Sequence, residues 1–404
     1  MKTKCIRELL ALGAIVAATG AGCMSGGTGD VEETGSALTG FGGIGSTGAG
    51  GTKANDKPAV RGFTLADGTH EAVFRVRGSS TLSKATGTPF GTPVSVSGSA
   101  QIGSNPWGYK RHDGPDTIVY LDQNSHVHEV GTADIDFAMS FGINAPLAAT
   151  APWDGSGPVP DLIGYLRGDN QSSALVYRSR ENHVIEIRSN FSAQPPWLVT
   201  DLTNVSGANV TAPIGSAFPF VQSDGWNTIL YFASDSHIHQ LANNGSSQWY
   251  DNDVYVMSGE TVAPSSDPWG YKRSDGWNAV VFVGADSKIH ELANDTLRWY
   301  RGILPSIQAV GGLYARPSGY IRADNVNAVV YTGGDNAIHE LSLSSGWIDS
   351  VLPTPNARSS GQLFGHLAPG NRSSVLFQGG DQFGANHRYE LSLQVGGQWV
   401  LQAF

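Results

Sequence analysis

Two segments about 50 residues apart decide the fold of this chain. The first reads Pro268-Trp-Gly-Tyr-Lys-Arg-Ser-Asp-Gly-Trp-Asn-Ala-Val-Val-Phe-Val-Gly-Ala-Asp-Ser-Lys-Ile-His-Glu-Leu292. The second reads Pro317-Ser-Gly-Tyr-Ile-Arg-Ala-Asp-Asn-Val-Asn-Ala-Val-Val-Tyr-Thr-Gly-Gly-Asp-Asn-Ala-Ile-His-Glu-Leu341. The same pattern occurs seven times between residue 59 and the end of the sequence. A self-similar period of this length predicts a repeat architecture.

Two positions fix the register of the repeat. The polar position of the Ile-His-Glu-Leu segment is occupied by Ser83, Glu129, Glu186, Gln240, Glu291, Glu340 and Glu390. The aromatic position of the preceding apolar segment is occupied by Phe74, Tyr120, Tyr177, Tyr231, Phe282, Tyr331 and Phe377. The two positions keep the same separation in every copy except the last, which carries an insertion between residues 380 and 386.

Each repeat contains several short strand signals and no helical periodicity. An apolar, β-branched run such as Ala279–Val283 indicates a buried strand, and the alternating Lys288–Leu292 segment indicates a half-buried one. A fourth segment carries an aromatic residue: Phe90, Phe137, Trp197, Trp249, Trp299, Trp347 or Trp399. Four strands per period predict an all-β, seven-bladed β-propeller with four-stranded blades over residues 58–404.

The first 57 residues are predicted to precede this fold as a signal peptide and a linker. Residues 1–23 combine a basic start, a short apolar run and small residues before Cys23, which is typical of an export signal. Cys23 resembles the lipidated residue of a bacterial lipoprotein, and ordinary secretory cleavage nearby is the alternative. Residues 24–57 are rich in Gly, Ser and Thr and predict a flexible linker. We therefore expect an exported protein, held at the outer membrane or cell surface through Cys23 or otherwise secreted.

Several kinds of chemistry are not expected. The net charge of −10 argues against a nucleic-acid surface. No phosphate loop or dinucleotide fingerprint is present, so no cofactor is expected. The pairs His126/His128 and His237/His239 could begin a zinc site, but other copies break the pair, so no metal is expected. The acids recur once per repeat, whereas glycoside hydrolysis needs two acids in one site. A non-enzymatic protein is therefore the preferred interpretation.

The repeated polar acceptor and aromatic residue suit carbohydrate, whose hydroxyl groups need acceptors and whose C–H faces lie on aromatic rings. A structural role is an equal alternative. The tryptophans would then pack between blades, and the glutamates would pair with a repeated arginine: Arg111, Arg167, Arg273 and Arg322.

The Val-Val-Tyr/Phe run, the Gly/Asp turn, the Ile-His-Glu-Leu segment and the following Trp resemble the repeat of fungal fucose-specific lectins and related bacterial propeller lectins. The resemblance covers nearly all of residues 59–404 and implies sugar sites between adjacent blades. The candidate residues that it implies are Glu129, Glu186, Gln240, Glu291, Glu340, Glu390, Trp249, Trp299, Trp347 and Trp399.

One departure from that family concerns its sugar-binding arginine, twelve residues before the glutamate. Here the position holds Thr117, Ala174, Thr228, Ala279 or Ala328 in the five central copies. We therefore expect poor affinity for fucose, and the sequence leaves the identity of the bound sugar open.

The sequence thus favours a multivalent carbohydrate-binding propeller whose partners are glycans. The alternative is a protein-binding or structural scaffold with its function in loops such as residues 145–160, and a diverged glycoside hydrolase is a weaker third reading. If Glu291 and Glu340 are surface contacts for sugar, replacing both by Ala is expected to reduce glycan retention and leave stability almost intact. The first repeat, which has Ser83 and no Trp, is expected to bind nothing.

Overall fold

A computed structural model describes most of the repeat region. The described residues are 59–76, 79–99, 105–114, 116–122, 126–131, 161–169, 172–179, 181–189, 197–205, 213–246, 248–311, 316–354, 358–359, 362–380, 386–394 and 396–404. The predicted signal peptide with Cys23, the predicted linker and the loop at residues 145–160 lie outside them.

The strands follow one another in seven antiparallel sheets, here called blades 1 to 7. Blade 1 contains β1 (Val60–Thr64), β2 (His70–Arg75), β3 (Thr81–Thr86) and β4 (Val94–Ser99). Blade 2 contains β5 (Trp107–Lys110), β6 (Asp116–Leu121) and β7 (Val127–Gly131). Blade 3 contains β8 (Ile163–Leu166), β9 (Ser173–Arg178), β10 (Val184–Ser189) and β11 (Trp197–Asp201), followed by helix α1 (Leu202–Val205).

The remaining blades repeat this order. Blade 4 contains β12 (Phe218–Val221), β13 (Asn227–Phe232), β14 (Ile238–Asn243) and β15 (Tyr250–Asp253), followed by helix α2 (Val254–Ser258). Blade 5 contains β16 (Trp269–Lys272), β17 (Asn278–Val283), β18 (Ile289–Asn294) and β19 (Trp299–Ile303). Blade 6 contains β20 (Ser318–Ile321), β21 (Asn327–Thr332), β22 (Ile338–Leu343) and β23 (Trp347–Val351). Blade 7 contains β24 (Arg358–Ser359), β25 (Phe364–Ala368), β26 (Arg372–Gly380), β27 (Asn386–Gln394) and β28 (Val400–Ala403).

The seven-bladed propeller predicted from the repeat is confirmed. The first long strand of each blade is innermost, and these strands neighbour one another in the closed order β1, β5, β8, β12, β16, β20, β25 and again β1. Three strands of blade 2 lie in the described part of the chain, and blade 7 adds the short β24, which pairs with the far end of β26. Among the described residues, no helix is both long and apolar enough to cross a membrane.

The second strand of each blade forms its apolar centre. All six residues of β13 and of β17 are buried, as the unbroken apolar run predicts. The aromatic landmarks occupy equivalent buried positions, and the exposed fraction is at most 3 % for each of Phe74, Tyr120, Tyr177, Tyr231, Phe282, Tyr331 and Phe377. The seven-fold register inferred from the sequence is therefore the register of the core.

In six of the seven junctions, adjacent blades join through an aromatic ring and a glycine on their innermost strands, and blade 4 has Pro219 at the glycine position. A Cβ atom added at Gly319 of β20 would overlap the ring of Tyr271 on β16. Tyr320 on β20 meets Gly365 of β25 in the same way, and Phe63 on β1 meets Gly108 of β5. Glycine is needed here because the neighbouring ring lies directly on the backbone.

A second element of six of the seven junctions is a hydrogen bond between neighbouring blades. The backbone N–H that follows the first strand donates to a side chain at the start of the second strand in the next blade. In blade 5, Ser274 N donates to Asn327 Oδ1 at 2.7 Å, and in blade 6, Ala323 N donates to Ser373 Oγ at 3.0 Å. The other junctions of this kind are Ala66 to Asp116, His112 to Ser173, Gly168 to Asn227 and Ser223 to Asn278.

The axis of the ring is filled by side chains from non-adjacent blades. Trp107 of blade 2 contacts Trp269 of blade 5, with ring centroids 6.3 Å apart, and Phe364 of blade 7 at 5.7 Å. Beside these rings, Asp161 of blade 3 accepts hydrogen bonds from two arginines of other blades. Its Oδ2 lies 2.6 Å from Nη2 of Arg316 and 3.4 Å from Nη2 of Arg61, and all three side chains are buried. The axis is thus a core of aromatic rings with a bridging carboxylate.

Candidate functional site

The recurring glutamate is buried in every blade that carries it. In blades 2, 3, 5 and 6 its carboxylate accepts a hydrogen bond from a tyrosine hydroxyl on the innermost strand and pairs with an arginine just beyond that strand. In blade 2, Tyr109 Oη donates to Glu129 at 2.6 Å and Arg111 Nη1 lies 3.1 Å from the other oxygen. In blade 6, Tyr320 and Arg322 hold Glu340 at 2.6 and 2.9 Å.

The same triad of tyrosine, arginine and glutamate occurs in blades 3 and 5. Tyr165 donates to Glu186 at 2.9 Å, and Arg167 pairs with the same carboxylate. Tyr271 and Arg273 each lie 3.3 Å from Glu291. The sequence indicated the pairing with arginine as a structural alternative, whereas no spacing in it indicated the tyrosine partner.

The arginine connects the buried glutamate to an exposed aspartate in the first turn of the blade. Asp324 receives two hydrogen bonds from Arg322, at 3.1 and 2.6 Å, and Asp113 receives two from Arg111, at 2.9 and 2.8 Å. A guanidinium held by two carboxylates has a fixed orientation. Each triad therefore places an immobilised ion pair at the surface of one face of the ring.

Burial sets the ionisation of these groups. Burial raises the pKa of Glu340 above its usual range, and the hydrogen bond from Tyr320 and the charge of Arg322 oppose that rise. Burial also raises the pKa of Tyr320, so its hydroxyl stays protonated and donates. The same opposition of burial and arginine charge acts on Glu129 and Glu291.

Blade 4 replaces all three members of the triad. Phe220, Gln222 and Gln240 stand where the other blades have tyrosine, arginine and glutamate, and Gln240 donates to Thr228 at 3.2 Å. In blade 7, Arg372 Nη2 lies 3.0 Å from Glu390, whose second partner is Ser374 Oγ at 2.8 Å. Blade 4 thus exchanges the whole triad, whereas blade 7 keeps the glutamate and pairs it with an arginine from a different position.

The predicted tryptophans lie on the outer part of the blades, next to the preceding blade. The Trp249 ring of blade 4 lies 5.6 Å from the guanidinium of Arg167 in blade 3. Trp197 stands in the same relation to Arg111, at 5.9 Å. Trp249 and Trp299 are buried, whereas Trp347 and Trp399 are partly exposed. The last two are therefore the better placed of the predicted tryptophans for contact with a ligand.

A cleft lies between blades 6 and 7 on the face that carries the triads. Its volume is about 270 Å³, and its lining is Arg322, Ala323, Asp324, Ser373, Leu393, Gln394, Gly396 and Gly397. The cleft contains a guanidinium, a carboxylate, a hydroxyl and an amide, with Leu393 and Ala323 between them. The repeated Arg-x-Asp turn is the sequence signal for this cleft, and none of the predicted glutamates and tryptophans lines it.

One expectation is wrong in its premise. Glu291 and Glu340 are not surface groups, because only 6 % and 3 % of their surface is exposed. Replacing both by Ala would leave the buried hydroxyl groups of Tyr271 and Tyr320 without an acceptor, would remove one of the two carboxylate partners of each arginine, and would lower stability. The position twelve residues before the glutamate is also buried, as Ala279 and Ala328 show. Direct contact of the predicted glutamates and tryptophans with sugar stays a prediction.

Known proteins resemble this chain in structure alone. No protein-family model matches the chain, and no curated protein sequence does. The structure of the BP39L lectin from Burkholderia pseudomallei superposes with a TM-score of 0.64 at 12 % identity, covering 85 % of this chain and 98 % of that one. The six-bladed propeller lectin of Aleuria aurantia, described for its fucose recognition mode, covers 86 % of this chain and 94 % of its own at 13 % identity, with a TM-score of 0.47. The chain thus shares the β-propeller fold of the BP39L lectin.

Proposed function

We propose that this protein is a non-enzymatic, carbohydrate-binding propeller whose sugar sites are the clefts between adjacent blades on the triad face. The observation that carries the proposal is the cleft between blades 6 and 7. It presents the Arg322–Asp324 pair, Ser373 and Gln394 within a single small cavity. The fold shared with a lectin supports the same interpretation.

The cleft matches the chemistry of a polyol. Sugar hydroxyl groups donate and accept at once, and this set offers guanidinium and amide donors beside carboxylate and hydroxyl acceptors. The ion pair is already ordered by Glu340, so little side-chain entropy is lost when a ligand binds. In this proposal the predicted glutamate acts as a positioning residue behind the arginine.

The same reasoning extends to other clefts. The Arg-x-Asp turn recurs as Arg111/Asp113, Arg167/Asp169 and Arg273/Asp275. Blade 1 has Leu65 at the arginine position and blade 4 has Gln222, so their clefts would bind weakly or not at all. Several weak sites on one rigid ring would give the protein avidity for clustered glycans.

A glycan array probed with the full-length protein tests the proposal. Retention of at least one glycan class is expected, and the single variants Asp324→Asn and Gln394→Ala should reduce it. Ser234→Ala, an exposed change on the opposite face, is the matched control and should retain glycans like the wild type. An array without any retained glycan, or cleft variants that bind as the wild type does, would favour the alternative of a protein-binding or structural scaffold.

We also propose, from residues 1–23, that the protein is exported and anchored through a lipid on Cys23. Cys23→Ser should then move the protein from the membrane fraction to the medium with its fold unchanged. An unaltered distribution of this variant would contradict the anchor and leave secretion as the explanation.

A further inference from the structure

A second group of polar side chains lies on the face of the ring opposite to the triads. It is formed in blade 4 by the turn between β13 and β14, by the first residues of β14 and by the end of β15. Asp235, His237, His239 and Asp253 each direct one nitrogen or oxygen into this group, and these four atoms all lie within 4.8 Å of one another. We propose that they form a site for a divalent transition-metal ion, of which Zn²⁺ suits the ligand set best.

The distances match the geometry of such an ion. Tetrahedral zinc with bonds near 2.0–2.1 Å places its ligand atoms about 3.3 Å apart. Here His237 Nδ1 lies 2.8 Å from Asp253 Oδ2 and 3.8 Å from Asp235 Oδ2. His239 Nε2 lies 3.0 Å from Asp235 Oδ2. Small movements of the side chains would therefore place all four atoms around one ion.

Each carboxylate is held so that one oxygen remains directed toward the cluster. Asp235 Oδ1 accepts a hydrogen bond from His237 N at 3.0 Å, which leaves Oδ2 beside the two imidazoles. Asp253 caps helix α2, and its Oδ1 accepts from Val256 N at 2.9 Å while Oδ2 faces His237. Both aspartates are thus oriented by the backbone before any ion binds.

Aromatic stacking positions the imidazoles. The ring of His239 stacks on Tyr231, and Asp251 Oδ2 lies 3.5 Å from its other nitrogen, Nδ1, without a hydrogen bond. A small shift of Asp251 would complete the carboxylate–histidine hydrogen bond that orients metal ligands. His237 stacks on Tyr255 with the ring centroids 4.3 Å apart. About 30 % of the His237 side chain and 34 % of the Asp235 side chain are exposed, so an ion can enter from solvent.

The other blades carry only part of the ligand set that is found in blade 4. Blades 5 and 6 keep the pairs Asp286/His290 and Asp335/His339. At the positions of His237 and Asp253 they have Lys288 and Ile303, or Ala337 and Val351. A lysine or an aliphatic residue cannot complete a ligand set, so in those two blades the aspartate and histidine only stabilise the turn.

Blade 3 has the complementary half. His183 Nδ1 lies 2.7 Å from Asp201 Oδ2, and Asp201 accepts from Thr203 N, as Asp253 does from Val256 N. The position of His239 holds Ile185, so this blade lacks the second imidazole. Among the blades whose fourth strand the structure describes, only blade 4 unites both halves. Asp122, His126 and His128 of blade 2 form a three-residue group, and residues 132–160, which follow, lie outside the described part.

The ligand chemistry selects the ion. Two imidazole nitrogens and two carboxylate oxygens suit zinc and neighbouring transition metals, whereas Mg²⁺ prefers oxygen ligands and water. The two aspartates would balance the charge of a divalent ion. The sequence predicted no metal because other copies of the repeat break the histidine pair and no carboxylate stands at a metal-like spacing in all of them. Asp253 is brought to the histidines only by the pairing of β14 with β15.

Calorimetric titration of the full-length, tag-free, EDTA-treated protein with ZnCl₂ tests the proposal. We expect saturable zinc binding and a rise in Tm with zinc, with little response to MgCl₂. Asp253→Asn should weaken zinc binding at least about tenfold. Asparagine caps helices as well as aspartate does, so the zinc-free fold should be retained. Asp201→Asn in blade 3 makes the same change in the same setting and should leave zinc affinity unaltered.

Two further variants keep the test decisive. His237→Ala should abolish the rise in Tm with zinc, whereas His183→Ala should not. Absence of zinc binding by the wild type, or wild-type affinity in both Asp253→Asn and His237→Ala, would overturn the proposal. Zinc binding that is lost only in His126→Ala would place the ion in blade 2 and would also overturn it.

Discussion

At the scale of the residue, the buried triad is where an amino-acid change has its most definite effect. In blade 6, Glu340 is held by Tyr320 and Arg322 and is almost fully buried. Removing one member leaves a buried donor or acceptor of the others without its partner, such as the Tyr320 hydroxyl when Glu340 is lost. The contribution of the triad to stability is therefore seen mainly when one member is removed, because the remaining members then stay buried without all of their partners.

We predict that Glu340→Gln lowers the free energy of unfolding by about 1–3 kcal/mol, because Arg322 loses its buried counter-charge. The triple variant Tyr320→Phe, Arg322→Gln, Glu340→Gln copies the residues found in blade 4. It should recover part of that loss, since it also removes the guanidinium that has lost one of its two carboxylate partners. Denaturant unfolding of the two variants measures the difference. Equal stability of the single variant and the wild type would show that the pair contributes nothing.

The aromatic landmark gives a second prediction at this scale. Phe282 is fully buried in the centre of blade 5. Phe282→Ala should lower stability by about 3–5 kcal/mol, because the cavity that it leaves cannot collapse between two packed sheets. Denaturant unfolding again measures the effect. A loss below about 1 kcal/mol would mean that this position tolerates repacking.

At the scale of the element, the junction between innermost strands depends on glycine. Gly319→Val should destabilise the protein by about 1–3 kcal/mol, because the new side chain must displace the Tyr271 ring. Gly346→Val, at a turn where an added Cβ has no neighbour, is the matched control and should change stability little. A comparison of Tm for the two variants checks the expectation, and equal values would contradict it.

The junction between blades 7 and 1 differs from the other six. Pro369 stands where the other blades have the donating N–H, and His70 stands at the accepting position of the second strand. His70 Nε2 lies 2.7 Å from His366 Nε2, and Arg372 Nη2 lies 3.2 Å from His70 Nδ1. Because arginine only donates, Nδ1 of His70 accepts. The proton of the neutral His70 ring is then on Nε2, which donates to Nε2 of His366.

This junction predicts a dependence of stability on pH. Burial, the His366 ring and Arg372 lower the pKa of His70 to about 2, and burial and Arg372 lower that of His366 to about 3. Both rings stay neutral in the native state, while the unfolded chain takes up protons below about pH 6.5. The part of the unfolding free energy that depends on these two histidines should therefore be fully present above about pH 6.5 and decrease as the pH falls below that value.

The comparison of wild type with His366→Gln isolates this contribution. Burial raises the pKa of nearby Glu390, whose effect on stability has the opposite sign and is common to both proteins. Between pH 7.5 and 5.5, Tm should fall less in the variant than in the wild type. Parallel profiles would show that the histidine pair does not titrate as described.

At the scale of the whole molecule, the sequence predicts what is local and repeated. The number of blades and the equivalence of the seven aromatic landmarks follow from spacing alone, because every copy carries the same signals. The burial of Glu340 could not be predicted in this way. Its partners Tyr320 and Arg322 become neighbours only through the register of three strands, and a single spacing does not reveal on which face a carboxylate lies.

The packing of side chains at the axis could not be predicted from the repeat either, because the residues that form it differ from blade to blade. Arg61, Asp161 and Arg316 come from blades 1, 3 and 6 and carry no shared motif. Only closure of the ring brings them together. The same holds for the proposed metal site, in which Asp253 joins the histidines through strand pairing. Repetition thus predicts the scaffold, and the departures from repetition carry the individual chemistry.

The carboxylate at the axis has a consequence for how the ring comes apart. Linear repeat proteins lose their end units one at a time, because each unit touches only its neighbours. Here the ion pairs of Asp161 link blades 1, 3 and 6. Unfolding of any one of these blades therefore leaves a buried charge unpaired in the others. The ring should melt in one cooperative step, with equal calorimetric and van't Hoff enthalpies. In Asp161→Asn, single blades should unfold separately, and the thermal transition should become broader. The reason is that unfolding of one blade no longer destabilises the other two through a shared buried carboxylate.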